Sequence, residues 1–572
     1  MKMTSAVRAA VLAAFVVANV VVTIQAQVKE RPLPRLVKKD GRFALFVDDA
    51  PYLMLGAQVH NSSSWPASLP KVWPAMEYLH VNTVEMPVYW EQFEPRPGQY
   101  DYTLIDTLLA EARQHNVHLV LLWFGTWKNG SQHYMPEWMK LDLDRYPHMV
   151  DRNGEAVDSP SPHAMAALDA DKSAFAAFMR HLKEADPQRT VLMVQVENEA
   201  GAWGSVRDYS PAAQKLFEAP VPPEILGAMQ VKTASSSPNW QQAFGPDADE
   251  YFHAWAVAKY IGQVAAAGKA VYPLPMYANA ALRDPLHAGP AGQPGAPGSY
   301  ESGGPTDNVL AIWKAAAPAL DVLAPDIYQD DDASYLKVLE LYHRDDNPLF
   351  VPETGGAGKD RFFFSALGLQ TIGFSPFGLD YTHKAANRSL NQADPSRPQE
   401  EFLTPWAMNY WLVGPMQREI ARLNFEGKLK AVAEEPGKAT ETLPFTSWDA
   451  IVSFGAARNR RGAGNPKPAG RALVAQLEDG QFLVAGYFCR VDFRPAGTEQ
   501  QRKSLHIVEG TQQNPSVLID GKWRHRQFLR VEEGTYENGV FKLSRLWNGD
   551  ETDWGLDFGE DPIVLRVSLA TY

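Results

Sequence analysis

The sequence predicts an α/β chain: a (β/α)8 barrel (TIM barrel) followed by a smaller C-terminal all-β sandwich. Three observations carry that reading. Short β-rich apolar runs alternate with longer amphipathic stretches, as repeated βα units require. No Gly-rich phosphate loop follows the first run, as an open doubly wound sheet would normally show. From about Thr446 the pattern changes to short strands punctuated by turns.

Eight runs are legible in order. They are YLMLGAQVH (Tyr52 to His60), TVEMPVYW (Thr83 to Trp90), HLVLLWFG (His118 to Gly125) and VLMVQVENE (Val191 to Glu199). PMYANAAL (Pro275 to Leu282), DVLAPDIY (Asp321 to Tyr328), LFVPETG (Leu349 to Gly355) and TIGFSPFGLD (Thr371 to Asp380) complete the set. Between them the helical period shows in Leu104, Ile105, Leu108, Leu109 and Ala112, and again in Phe175, Phe178, Met179 and Leu182, faces expected to pack on the barrel. The stretch from Gly201 to Ala270 is too long for one βα connection, and Pro/Gly-rich text from Ala288 to Pro305 marks a second excursion. Long loops on this side of a barrel commonly shape a substrate cleft. A helix-like segment from Pro405 to about Ala433 is expected to close the barrel, followed by a polar linker, AEEPGKATETLP. In RALVAQLEDGQFLVAGYF, Asp479-Gly480 signals a hairpin between two β-rich runs. Either carbohydrate binding or packing on the barrel suits this last module.

The first 26 residues join a basic start (Lys2, Arg8), an apolar run from Ala9 to Val22 and a small residue, Ala26, which reads as a secretory signal peptide. The uninterrupted run is shorter than the ~20 residues a spanning helix needs. The expected organisation is therefore signal peptide 1–26, catalytic barrel 27–435 and β-sandwich 436–572, in a periplasmic or extracellular protein. Removing the leader takes away two positive charges and no acid, moving the net charge from −13 to −15, so nucleic acid and anionic membranes are not expected partners. Cys489 is the only cysteine, which excludes an internal disulfide and a Cys-based metal site, and no HExxH run occurs. No cofactor or metal is expected. Oligomeric state is not legible.

In such a barrel the reactive side chains sit where strands end at the C-terminal face. Strand four ends in VQVENEAG and strand seven in FVPETG, placing Glu199 and Glu353 across the mouth from one another. Acetal hydrolysis needs a proton for the leaving oxygen and electron density for an oxocarbenium-like carbon, which two carboxyls in different protonation states supply. Strand alternation points Glu197 and Glu199 the same way; Glu199 lies nearer the mouth, and Glu197 reads as an inner-layer residue bonded within the barrel. Tyr328 ends strand six, from where it could donate a hydrogen bond to the strand-seven carboxylate; an interior structural tyrosine is the alternative. Trp90, Trp123, Trp127 and Trp203 lie at or beyond strand ends, and about half of such rings should meet substrate rather than pack. His60 ends strand one, as a hydroxyl partner or as a satisfied core histidine. In EPRPGQYDY, Pro95 and Pro97 stiffen a loop, Gly98 permits its turn and Asp101 caps the next helix.

Asn198-Glu199, Glu353 and the EQFEPRPGQYDY segment after strand two together resemble the clan of retaining glycosidases built on (β/α)8 barrels. VQVENEAG and EPRPGQY are most similar to the β-galactosidases of glycoside hydrolase families 35 and 42, over about residues 40 to 435. That resemblance implies that Asn198 bonds the sugar 2-hydroxyl, Glu199 is the general acid/base and Glu353 forms the glycosyl-enzyme. Two departures stand out. Ala200 replaces the tyrosine usual in family 35, and WFGTWKNG replaces its Pro-Tyr-x-x-Ala-Glu pattern, leaving Lys128 and Asn129 to take over sugar contacts. The implied function is a retaining exo-β-galactosidase acting on oligosaccharides. A clan member acting on β-glucosides, β-mannosides or arabinosides is the runner-up, and a non-catalytic carbohydrate-binding barrel the third reading.

Overall fold

The computed structural model of the chain describes residues 31–232, 235–287, 289, 295–382, 399–455, 464–496 and, with short interruptions, 508–571. The leader expected at 1–26 lies outside them. Among the described residues no helix is long and apolar enough to cross a membrane.

Eight strands close into a barrel: β1 (Met54–Gln58), β2 (Thr83–Tyr89), β3 (His118–Lys128), β4 (Val191–Asn198), β5 (Met276–Ala281), β6 (Val322–Ile327), β7 (Val351–Thr354) and β8 (Gly373–Pro376). Each falls within or overlaps one of the eight runs, and all neighbouring pairs are parallel. A parallel strand is covered on both faces, which is why these runs are apolar throughout rather than alternating. The helices that cover them follow in turn: α1 (Leu69–Tyr78), α2 (Thr103–Gln114), α3 (Met165–Ala185), α4 (Ala248–Val271), α5 (Leu310–Ala316), α6 (Asp332–Tyr342), α7 (Phe362–Gly368) and α8 (Gln399–Val413). Leu104, Ile105, Leu108, Leu109 and Ala112 are the buried face of α2, and Phe175, Phe178, Met179 and Leu182 lie on that of α3, as their spacing predicts. Helix α4 is buried nearly all round, because the elaborated stretch after β4 folds short helices such as Trp240–Phe244 against it, with Trp240 on Phe252 and Trp255.

Two expectations are corrected at the end of the barrel. The helical segment stops at Phe425, and Leu429–Ala433 is a strand, β9, paired with Arg471–Glu478, β10. The supposed linker turns at Glu435 and Lys438 and then forms the strand Thr440–Pro444, whose partner is Trp448–Phe454. A polar, proline-bearing stretch can pair at a sheet edge, where charged side chains face water.

Downstream an eight-stranded sheet packs on a four-stranded one. Strands β10 and β11 (Gln481–Tyr487) form the predicted hairpin, with Gly480 at φ 70°, the left-handed geometry that a Gly turn supplies. Alternation along these strands buries both faces. Leu473, Ala475, Leu483 and Ala485 join the barrel's apolar core, while Ala472, Val474, Phe482 and Val484 meet the second sheet. The buried Arg471–Asp360 ion pair, at 2.9 Å, ties the two units together.

Candidate active site

At the C-terminal ends of the strands three buried acids converge: Glu199 after β4, Asp326 on β6 and Glu353 on β7. One carboxylate oxygen from each lies within 4.8 Å of the others. Asp326 and Glu353 are register partners across β6 and β7, so the sheet itself sets that spacing.

Backbone geometry decides which glutamate of VQVENEAG reaches the mouth. Glu197 and Glu199 both take positive φ, 64° and 45°, and the register between β3 and β4 shifts after Trp123. Left-handed backbone at non-glycine residues costs about 1–2 kcal/mol each, so surrounding contacts must hold it. The expected alternation is therefore broken. Glu197 accepts from the Trp127 N–H at 2.7 Å and pairs with Asp171 of α3, instead of sharing a direction with Glu199. Burial first, and then the Asp171 carboxyl, push Glu197 well above the usual carboxylate range.

Glu353 has a donor on each oxygen: Tyr328 Oη at 2.7 Å from Oε1 and Gln58 Nε2 at 2.8 Å from Oε2. Glu199 Oε2 accepts from Asn129 Nδ2 at 2.5 Å and lies 4.0 Å from the buried Lys128 Nζ. The turn that carries these two residues is laced to the end of β4, with Asn129 N–H donating to Asn198 O at 3.2 Å and Gly130 N–H to Glu199 O at 2.9 Å. Burial, followed by the Glu353 charge, raises Glu199 to about 7, partly offset by Lys128 and by hydrogen bonds from Asp326 and Asn129. The two glutamates thus meet unlike surroundings. Glu353 sits between two hydrogen-bond donors, whereas burial and the neighbouring charge favour the protonated form of Glu199, and unlike surroundings of this kind are what separates base and acid roles in a pair.

The three acids are close enough to face one cation. However, Lys128 already brings a positive charge, and Tyr328, Gln58, Asn129 and Asn279 take oxygens of the set. That donor-rich setting suits proton sharing among carboxyls better than metal ligation.

Asn198 is fully buried, and neither its Oδ1 nor its Nδ2 has a hydrogen-bond partner. A buried amide left unpaired costs roughly 1–3 kcal/mol, so this one is set up for a partner that arrives from outside the chain. His60 at the end of β1 has Asp380 as its partner, with Nδ1 at 3.2 Å from Oδ1. Of the four tryptophans only Trp203 reaches solvent, at 51% exposure. Trp90, Trp123 and Trp127 are packed, their indole N–H groups donating to Glu94, Asp171 and Ser159, so fewer rings face the cleft than expected. Gly98 does take the turn, at φ 73°, and Asp101 accepts from the first helical N–H, Thr103, at 2.9 Å.

Several residues of the site, Asn279 among them, were not singled out from sequence. Asp326 and Gln58 stand two positions before Tyr328 and His60, so strand alternation could have found both. Glu301 comes from the Pro/Gly-rich excursion; it is buried beside Lys128, Glu199 and the Trp203 indole, and neither carboxylate oxygen has a partner of hydrogen-bond geometry. Gly130 makes room for it: at φ 71°, a Cβ there would stand 2.4 Å from Glu301 Oε1. Trp65, after β1, is half-exposed and stacks on Tyr89 with centroids 5.9 Å apart, a ring of the kind that covers the C–H face of a sugar.

Residues 61–270 match the model of glycoside hydrolase family 42, described as beta-galactosidase, a span that includes Asn198 and Glu199 and ends before Glu353. The resemblance of VQVENEAG and EPRPGQY, both inside that span, is borne out: this part of the barrel is similar to a β-galactosidase-type glycoside hydrolase domain. Residues 406–559 match a model described as a domain of unknown function, DUF5597. No curated protein matches the chain. Among solved structures, the catalytic domain of a β-amylase from Paenibacillus polymyxa is 14% identical, with a TM-score of 0.44, over 61% of this chain and 97% of its own. A β-galactosidase from Rahnella sp. R3 is 13% identical, with a TM-score of 0.44, over 65% of this chain and 58% of its own. One from Marinomonas ef1 is 12% identical, with a TM-score of 0.43, over 65% and 61%. The chain thus spans about three fifths of either β-galactosidase.

Proposed function

We propose that the protein is a retaining exo-β-galactosidase that removes terminal non-reducing β-D-galactosyl residues from oligosaccharides by double displacement, outside the cytoplasm. The observation that carries the reaction type is the closeness of Glu199 and Glu353, with oxygens within 4.8 Å, together with their unlike hydrogen bonding. A retaining site places its carboxyls roughly 5–5.5 Å apart, whereas an inverting one leaves roughly 6.5–9.5 Å for a water. Glu353, the carboxylate held by two donors, attacks the anomeric carbon. Glu199 gives its proton to the leaving oxygen and then takes one from the water that releases the sugar. The family 42 match supports galactose as the glycone, and the basic start, the apolar run from Ala9 to Val22 and the small residue Ala26 support export.

A second reading, another retaining glycosidase of the same clan, is favoured by the contacts that replace the family pattern: Lys128, Asn129 and Glu301 line the site from WFGTWKNG and the excursion after β5. A panel of 4-nitrophenyl β-galactoside, β-glucoside, β-mannoside and α-L-arabinoside separates the two, and proton NMR of the first-formed sugar reads the anomer. Release of β-galactose is expected. Absence of galactoside cleavage refutes the glycone, and an α-anomer as first product refutes retention.

Asn198→Ala is expected to lower kcat/KM on the order of 10²-fold, since contacts to the 2-hydroxyl strengthen in the transition state. With the 2-deoxy-galactoside the same substitution should cost less than about threefold, because the partner hydroxyl is already gone. Equal losses on both substrates would assign Asn198 a packing role.

A further inference from the structure

We infer that Asp326 is a neutral carboxylic acid wedged between the two glutamates, whose O–H donates to Glu199 and so positions and tunes it; this rests on reading Glu199 as the acid/base. Glu353 takes a donor on each oxygen, from Tyr328 and Gln58, and Asp326 Oδ2 takes Asn279 Nδ2 at 2.6 Å. The orientation of that amide is set from its other end, because Asn279 Oδ1 accepts the Glu199 backbone N–H at 2.9 Å. One asparagine therefore clasps both the acid and the segment that carries Glu199. Asp326 Oδ1 is left buried with no hydrogen-bond partner, and the acid belongs to a cluster in which one oxygen from each of Glu199, Asp326 and Glu353 lies within 4.8 Å of the others.

Three carboxylates cannot all be charged in such a space beside a single ammonium. The donor count assigns the charge to Glu353. A proton on Asp326 Oδ1 turns the orphaned acceptor into a donor facing Glu199, which removes both the repulsion and the missing bond. The electrostatic directions agree: burial, then the Glu353 and Glu199 carboxyls, raise Asp326 well above its ordinary range, and the Asp326 hydrogen bond pulls Glu199 down. Lys128 from β3 also bears on Asp326, as do the phenols of Tyr277 from β5, Tyr328 just after β6 and Tyr342 from α6. When Glu199 hands its proton to the leaving oxygen, its new charge is met by the Asp326 O–H. When Glu199 takes a proton from water, the bond relaxes. Asp326 keeps its own proton throughout.

Infrared spectra test this without any substrate. At about pH 8, the wild-type minus Asp326→Asn difference should contain the C=O stretch of a carboxylic acid, and the band should persist in a Glu199→Gln background; the paired bands of a carboxylate in its place overturn the proposal. The kinetic readout is the alkaline limb of kcat/KM on 4-nitrophenyl β-D-galactoside. Asparagine mimics the neutral acid and keeps a donor, so Asp326→Asn should leave that limb within about 0.3 pH unit. Asp326→Ala should raise it by about one unit and lower kcat about tenfold. A fall of a unit or more in Asp326→Asn would mean that a negative charge had been removed, and sinks the idea. If the wild type leaves the galactoside intact, the proposed glycone fails while the infrared result still decides Asp326.

Discussion

Glu353→Gln is expected to abolish turnover, with kcat falling on the order of 10⁴-fold or more, while the fold and its melting temperature change little. The amide is nearly isosteric with the carboxylate but has no electron pair with which to form the glycosyl ester. The surroundings can absorb the change. Tyr328 can still donate to the new side-chain oxygen, and the Gln58 amide can rotate so that its Oε1, which has no partner now, accepts from the introduced NH₂. Stopped-flow measurement of phenolate release and a thermal melt check both halves. Residual turnover within tenfold of wild type would remove Glu353 from the nucleophile role, and a collapsed melt would show that its charge serves the fold.

Glu199→Ala should divide substrates by leaving group. Galactosides with poor leaving groups lose about 10³–10⁴-fold, in the range general acid catalysis supplies, whereas 2,4-dinitrophenyl galactoside, which needs no proton, loses far less in its first step. Azide should then restore turnover and yield the β-galactosyl azide, since a small anion fits where the carboxyl stood. The pH profile carries the same information. Glu199 is held up to about 7 and acts protonated, so wild-type kcat/KM on poor leaving groups falls as pH rises through about 7. That limb should vanish in the variant. An unchanged alkaline limb, or azide without effect, would assign the acid to another group.

Much of the barrel was legible because its pattern is local. Each βα unit writes its own apolar run and its own helical face, so eight runs and the buried faces of α2 and α3 could be read one at a time. The downstream strands around Asp479-Gly480 were legible for the same reason. The errors lie where local text is ambiguous. AEEPGKATETLP has the composition of a linker but is held as a strand edge by Trp448–Phe454, and the helical text before it ends early because β10 offers Leu429–Ala433 a partner. Trp127 lies near the end of β3 and Trp123 within it, because the strand runs on to Lys128, and which face the two rings turn to depends on the bulged end of β3.

What the sequence determined by itself is the strand-end address of Glu199 and Glu353, and with it the glycosidase resemblance, since strand order and run length follow from periodicity. Tertiary structure alone decided the rest of the site. Positive φ at Glu197 and Glu199 overrides the two-residue alternation and sends one carboxyl to α3 and the other to the mouth. Asn279, Asp326, Gln58 and Glu301 meet the pair from separate strands and loops, and the proton balance among the buried acids depends on those distances. Ionisation in a buried cluster is set by which charges and donors lie within a few ångströms, and separation along the chain carries no record of that.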